Sequence, residues 1–273
     1  MSNLRIKHPT KKLTGNIILP ASKSICNRVL ILKKVLGIHT SIQNIATADD
    51  SVIMQHALQQ TTGTVDVKNA GTCMRFLTAY YATTPDVDVI LHGSERMHNR
   101  PIGALVDALT TLGADIDYID KPGFAPLRIK GKKLHGGVVT VDASISSQFV
   151  SALMLVAPNF KNGLSIRLGK NTVSKPYITL TADLLKQFGI DVTVQDDVVI
   201  KPYQPQTAPD TFLIEPDWSA AAFWYQLLAL AKAGNITLNN LKPNSAQGDA
   251  IIAEYMERFG VSSNYYQQGV SLT

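Results

Sequence analysis

Cysteine is almost missing from this chain: there are two in 273 residues, Cys26 and Cys73. Two thiols cannot staple a protein of this size, so a disulfide scaffold is excluded, and both sit in apolar helical patterns that predict buried, reduced side chains. Long apolar runs are missing as well. The best stretches, 149–158 and 220–231, fall short of the roughly 18 residues that span a bilayer. The first thirteen residues are polar and lack the apolar core of a signal peptide, so the chain reads as cytoplasmic. Its six histidines (8, 39, 56, 92, 98, 135) form no HxxxH or HExxH pair, which predicts no metal site. No run of five like charges occurs, which argues against a nucleic-acid-binding tail.

What is present describes a folded protein. Hydrophobic residues make up 45% and charged residues 17%, a balance that excludes disordered and collagen-like chains. The length suits about two domains. Lys and Arg number 26 against 21 Asp and Glu, a net charge of +5. That mild excess fits cationic pockets for anionic small molecules, and it fits an ordinary basic surface equally well.

One local pattern repeats along the chain. A short apolar strand runs into a small-residue turn rich in Ser or Asp and then into an apolar helix. It occurs at Gly15-Asn-Ile-Ile-Leu-Pro-Ala-Ser-Lys-Ser24, at Gly137-Val-Val-Thr-Val-Asp-Ala-Ser-Ile-Ser146 and at Phe212-Leu-Ile-Glu-Pro-Asp-Trp-Ser219, with a looser copy at Val65-Asp-Val-Lys-Asn-Ala-Gly-Thr72. An amphipathic helix alternates with it, with Gly63, Gly113, Gly189 and Gly260 as the expected left-handed caps. Four units of about 65 residues result, beginning near residues 15, 65, 137 and 211. Each reads as strand, helix, strand, helix and further strands, an α/β (α+β) class built of βαβαββ-type repeats. None can bury both of its helices alone, so the units must pack together. The proline-rich segment 201–210 reads as a crossing between domains.

The turns carry the groups that bind anions. Pro20-Ala-Ser-Lys-Ser-Ile-Cys-Asn-Arg28 sets Ser22, Lys23 and Ser24 at a helix N-terminus, with Arg28 one turn on, where free amides, the helix dipole and two cations combine. Asn69-Ala-Gly-Thr-Cys-Met-Arg75 repeats the arrangement, with Gly71 where a backbone must approach a ligand closely. Arg100, held extended before Pro101, offers a bidentate fork. Ser146-Ser147-Gln148 is the third version, and Ser174-Lys-Pro-Tyr177 again puts a basic residue before Pro at a helix start. Asp49, Asp50 and Asp217 read as acids at helix starts. Each segment alone reads equally well as capping and solvated charge. Together, equivalent turns of successive units all carry phosphate-binding groups, and packing around a pseudo-threefold axis would bring those N-termini to one face.

These segments, with Arg96-Met, Val173 and Asn244-Ser-Ala-Gln-Gly-Asp249, occur in an order and spacing that resemble the 5-enolpyruvylshikimate-3-phosphate synthase family over essentially the whole chain. The resemblance implies an enolpyruvyl transferase-like fold, an inside-out α/β barrel of two domains, each with three such units around a pseudo-threefold axis. It implies transfer of the enolpyruvyl group from phosphoenolpyruvate to the 5-hydroxyl of shikimate-3-phosphate, releasing phosphate, with no cofactor or metal, in a monomer that binds neither nucleic acid nor membrane. Lys23, Ser24 and Arg28 would line both substrate sites. Ser146, Ser147, Gln148, Ser174 and Tyr177 would hold shikimate-3-phosphate, while Gly71 and Arg100 would face phosphoenolpyruvate.

The sister family, which acts on UDP-N-acetylglucosamine, has a reactive Cys where this chain has Glu95. Two departures from the resembled pattern stand out. Phe76 follows Arg75 where the family usually has Pro. The family's acid/base motifs, of the types Ile-Pro-Asp-Ala-Ala and Lys-Glu-Thr-Asp-Arg, do not occur. The resemblance puts them in units that would follow Thr273. The chain therefore reads as C-terminally truncated, with no catalytic acid or base of its own. Residues 14–210 would form one complete three-unit domain, and 1–13 with 211–273 one unit of a second. A non-catalytic shikimate-3-phosphate-binding fragment is the alternative reading.

Overall fold

A computed structural model of the chain describes residues 8–141, 147–169, 175–204 and 208–273. Strand β1 (Lys12–Ile17) leads to α1 (Lys23–Leu36), β2 (Ser41–Gln43) and α2 (Asp49–Ala57). A second passage holds β3 (Thr62–Asp66), α3 (Gly71–Thr83), β4 (Asp88–His92), the short α4 (Glu95–His98), α5 (Gly103–Thr111), β5 (Asp115–Tyr118) and β6 (Leu127–Lys130). A third holds β7 (Gly137–Val141), α6 (Ser147–Val156), β8 (Leu164–Leu168), α7 (Lys175–Gln187), β9 (Val192–Val194) and β10 (Asp197–Ile200). The last contains β11 (Thr211–Leu213), α8 (Trp218–Ala229), β12 (Ala233–Asn239), α9 (Ile252–Glu257), β13 (Ser263–Tyr266) and β14 (Gly269–Leu272). Among the described residues no helix is long and apolar enough to cross a membrane.

The chain divides into two compact units, one of residues 1–22 with 215–273 and one of residues 23–214. In the larger unit two sheets share one topology, with strand orders β3-β4-β6-β5 and β7-β8-β10-β9. The first two strands of each are parallel, and the others add antiparallel. Parallel neighbours need a crossover, and α3 and α6 supply it. A third sheet contains the parallel pair β2 and β11.

The helices of this unit follow a threefold pattern. Helices α1, α3 and α6 pack on one another, while α2 lies against α1 and α3, α5 against α3 and α6, and α7 against α6 and α1. Every residue of α3 except Thr72, and every residue of α6 except Gln148, is buried. A helix apolar on all sides is stable only when surrounded. The repeat pattern in the sequence thus corresponds to an inner and an outer helix per unit.

The glycine caps hold at three of the four positions. Gly113, Gly189 and Gly260 have positive φ, and their amides close the ends of α5, α7 and α9. Gly63 instead lies within β3. Helix α2 stops at Ala57, and the amides of Gln59 and Gln60 bond back to the carbonyls of His56 and Ala57, so it needs no left-handed residue.

The chain passes between units at 22/23 and 214/215, where the sequence places the boundaries at 13/14 and 210/211. Strand β1 pairs in parallel with β12 along its whole length, which assigns it to the smaller unit. Strand β11 belongs to the larger: the Thr40 hydroxyl donates to the Pro209 carbonyl (2.7 Å), the Asn44 amide donates to the Ile214 carbonyl (2.8 Å), and Phe212 stacks on Phe188 (5.2 Å between ring centres).

The smaller unit is one sheet, β1-β12-β14-β13, covered by α8 and α9. Trp218, Tyr225, Leu238, Val270 and Leu272 are the centre of its core. Asp217 caps α8 by accepting from the Ser219 amide (2.8 Å), as its place at a helix start predicts. Asp49 and Asp50 fall in the first turn of α2, where Ala48 takes the cap position without a side-chain bond.

Candidate functional site

The inner helices of the larger unit begin at Lys23, Gly71 and Ser147. Contacts at matching depths show that they run alongside one another with their starts level. Gln148 Nε2 donates to Thr72 Oγ1 (3.4 Å), joining the first turns of α6 and α3. One turn deeper, Arg28 of α1 reaches Ser151 of α6 and lies over the ring of Phe76 in α3. The positive ends of three helix dipoles therefore face one region, as the repeated turns predict.

Arg28 is the most enclosed of the cations, only 3% exposed. Its Nε donates to Thr181 Oγ1 (2.8 Å), Nη1 to the Ser24 carbonyl (2.8 Å) and Nη2 to Ser151 Oγ (3.4 Å). Its carbon Cζ lies 5.2 Å from the centre of the Phe76 ring and 5.7 Å from that of Tyr177. Burial pulls its pKa down from 12.5 to about 10, with Tyr177 acting weakly the other way. No carboxylate is among these described partners, so the charge is held by hydroxyls, a carbonyl and ring faces.

Arg75 repeats this in α3. It donates from Nη1 to the Gly71 carbonyl (3.2 Å) and toward Met97 Sδ (3.5 Å), and from Nη2 to the Pro101 carbonyl (3.1 Å), while its Nε is buried without a described partner. Burial, and then the like charge of Arg100, lower its pKa to about 10. Arg75 thereby ties the segment that carries Arg100 to the start of α3. Arg100 itself is exposed, and its guanidinium fills the space beside the Gly71 Cα.

The other expected residues are distributed as follows. Lys23 opens α1 and pairs with Asp50 Oδ1 at 3.5 Å, a half-exposed contact of small energetic value. Ser24 lies inside α1, half-buried, and offers its carbonyl to Arg28. Ser147 is buried at the start of α6. Tyr177 is 41% exposed, with its ring against Arg28. Asn69 accepts from Ser94 Oγ (2.5 Å) and does not cap α3, whose cap position is Ala70. Ser146 and Ser174 lie outside the described residues. Glu95, at the reactive-Cys position of the sister family, is exposed at the start of α4. Thr273, after which the resemblance puts the family's acid and base, has a purely structural place here. Its carbonyl accepts the Ser262 amide (2.8 Å) and its amide donates to the Ser262 carbonyl (3.1 Å), which extends the β13–β14 pair by one step.

Sequence reasoning missed three residues that hold Arg28, namely Ser151, Thr181 and Phe76. Two had a faint local signal: Ser151 follows Ser147, and Thr181 follows Tyr177, by four residues, which places each pair on one helix face.

A pocket of about 340 Å³ next to the α3 start is lined by Asp49, Asp50, Lys68 and Asn69, a set too acidic to attract a phosphate. Among the described residues no group of His, Cys, Asp and Glu has the arrangement of a metal site. Burial raises the pKa of both Cys26 and Cys73, so neither is an activated nucleophile.

Known proteins share this fold and are similar in sequence. A solved structure of EPSP synthase from Acinetobacter baumannii superposes with a TM-score of 0.76 at 18% identity, covering 96% of this chain and 64% of that one. This establishes the α/β fold of repeated units. A 3-phosphoshikimate 1-carboxyvinyltransferase of Bacteroides fragilis (strain YCH46) is 43% identical over 263 residues, or 96% of this chain and 63% of the relative. The same-named protein of Colwellia psychrerythraea is 34% identical, over 97% of this chain and 68% of its own. The chain thus spans about two thirds of the length of these relatives. The model of the family described as EPSP synthase (3-phosphoshikimate 1-carboxyvinyltransferase) matches residues 59–270. That match takes in the starts of α3 and α6 together with Arg75 and Arg100, and by it the chain belongs to the EPSP synthase family.

Proposed function

We propose that this chain carries the shikimate-3-phosphate half of an enzyme that transfers the enolpyruvyl group of phosphoenolpyruvate to the 5-hydroxyl of shikimate-3-phosphate, releasing phosphate. The observation that carries the reading is the pair of enclosed guanidiniums, Arg28 and Arg75, at level helix starts with no carboxylate among their described partners. A cation buried without a counter-charge is costly unless an anion completes the site, and both substrates are multiply anionic. Family membership supports the same reaction and does not favour the non-catalytic alternative.

In this reading Lys23, Ser24 and Arg28 bind at both substrates. Ser146, Ser147, Gln148 and Ser174 hold shikimate-3-phosphate by hydroxyl and amide groups, and the Tyr177 ring lies along its carbocycle. Gly71 leaves room for Arg100 to meet phosphoenolpyruvate. Residues 23–214 are the complete three-repeat domain, and the smaller unit carries one repeat of the second. The reaction also needs a base to take the 5-hydroxyl proton and an acid to protonate C3, each worth roughly 10²–10⁴-fold. None of the family's acid/base motifs occurs among the 273 residues.

Calorimetric titration and a steady-state phosphate-release assay test this. The 273-residue chain is expected to bind shikimate-3-phosphate and to turn over negligibly on its own. A flat titration would sink the binding role, and turnover at ordinary enzyme rates would mean that an acid and a base lie within these residues.

A further inference from the structure

We propose that Phe76 is a positioning residue for Arg28: its buried ring holds the guanidinium in the plane from which Arg28 presents its remaining N–H groups to an anion. Phe76 lies in the second turn of α3, is 1% exposed, and has its ring centre 5.2 Å from Arg28 Cζ. Three neutral acceptors take one N–H each from Nε, Nη1 and Nη2: Thr181 Oγ1, the Ser24 carbonyl and Ser151 Oγ. A guanidinium carries five N–H donors in a rigid fork. One N–H on each terminal nitrogen is left for a ligand, and the tilt of the plane decides where both point.

The three acceptors do not set that tilt firmly. The Ser151 contact is long, at 3.4 Å, and the Ser24 carbonyl accepts along a broad arc. The ring face is what resists tilting of the guanidinium plane about the Cδ–Nε bond, because the electron-rich face attracts the cation and the buried α3 leaves little room for other placements. An aliphatic side chain would fill the volume but would present no negative face. Pro, which the resembled pattern usually has at this position, offers no such face either. Tyr177, on α7, adds a second ring 5.7 Å away, but it is 41% exposed where Phe76 is 1% exposed.

The test has one arm that needs no substrate and one that rests on the function proposed above. In the ligand-free 273-residue chain, labelled with ¹⁵N, the Arg28 Nε–H signal is assigned by its loss in Arg28→Lys. It is expected to show an Overhauser contact to the Phe76 ring protons and to exchange slowly. In Phe76→Leu the signal moves downfield and exchanges at least threefold faster, and Phe76→Tyr restores both. The second arm is calorimetric affinity for shikimate-3-phosphate, which weakens about fivefold in Phe76→Leu, the loss of one desolvated cation–ring contact, and recovers in Phe76→Tyr.

An unchanged Arg28 signal in Phe76→Leu overturns the proposal, and so does a weakened affinity without a spectral change, since packing alone would then explain it. Should Phe76→Leu not fold, absence of the Overhauser contact in the unmutated chain overturns it, and its presence with slow exchange upholds it. If the unmutated chain does not bind shikimate-3-phosphate, the functional reading fails while the spectroscopic arm still decides the role of Phe76.

Discussion

The Arg100 guanidinium occupies the space that a side chain at Gly71 would need: a Cβ built on Gly71 would lie 2.8 Å from Arg100 Cζ. The first residue of α3 and the residue before Pro101 are thus coupled by shape, and the bare glycine lets a cation sit against a helix start.

Gly71→Ala is expected to displace Arg100 at little cost in stability, within about 0.5 kcal/mol, because the group that must move is the end of an exposed side chain. Phosphoenolpyruvate affinity should fall at least threefold in Gly71→Ala. The double variant Gly71→Ala with Arg100→Ala should be no weaker than Arg100→Ala alone. Additive losses in that cycle would show that Gly71 acts by another route.

Gln247 ties its own loop to residues 215–218 of the smaller unit and is 7% exposed. Its Nε2 donates to Glu215 Oε2 (3.1 Å) and to the Pro216 carbonyl (2.9 Å), and its Oε1 accepts the Trp218 amide (3.2 Å). Gln247→Leu removes all three bonds, leaving the buried Trp218 amide without its acceptor while half-buried Glu215 keeps the Ser245 hydroxyl, and should cost about 1–3 kcal/mol. Both tryptophans, Trp218 and Trp224, belong to this unit, so urea unfolding followed by tryptophan fluorescence reads it directly. An unshifted midpoint would count against the network.

Stability should fall as the solution becomes alkaline. Burial, and then the Asp50 charge, push the Cys73 thiol well above its ordinary value of 9.0, and burial pushes Cys26 the same way. The folded chain keeps these protons where the unfolded chain releases them, so the contribution is complete below pH 9 and is lost as pH rises above it. For Cys73 the loss reaches about 1.4 kcal/mol by pH 10. Arg28 and Arg75, whose pKa values are lowered to about 10, act with the opposite sign and only at higher pH. Urea midpoints at pH 8, 9 and 10 should show a fall that is shallower in Cys73→Ala; equal slopes would refute the assignment.

Much of the site was legible because it is local. Lys23, Gly71 and Ser147 announce helix starts by residue type within a few positions, and the caps at Gly113, Gly189 and Gly260 were readable for the same reason. The partners of Arg28 were not. Ser151 and Thr181 lie 123 and 153 residues away along the chain, and a hydroxyl on a helix has many uses. Phe76 stood out only as a departure from the resembled pattern, and its nearness to Arg28 gives it another part.

By itself, the sequence determined the repeat, the two kinds of helix and the hydroxyls and cations placed at the turns, because periodicity, turn residues and charge act over a few positions. Only the tertiary structure decided where the strands go. Strand β1 precedes α1 yet pairs with β12, and β11 precedes α8 yet pairs with β2. Strand pairing is made by backbone groups that every residue carries, so short strands hold little record of their partner, and the register is set by the packing of the units.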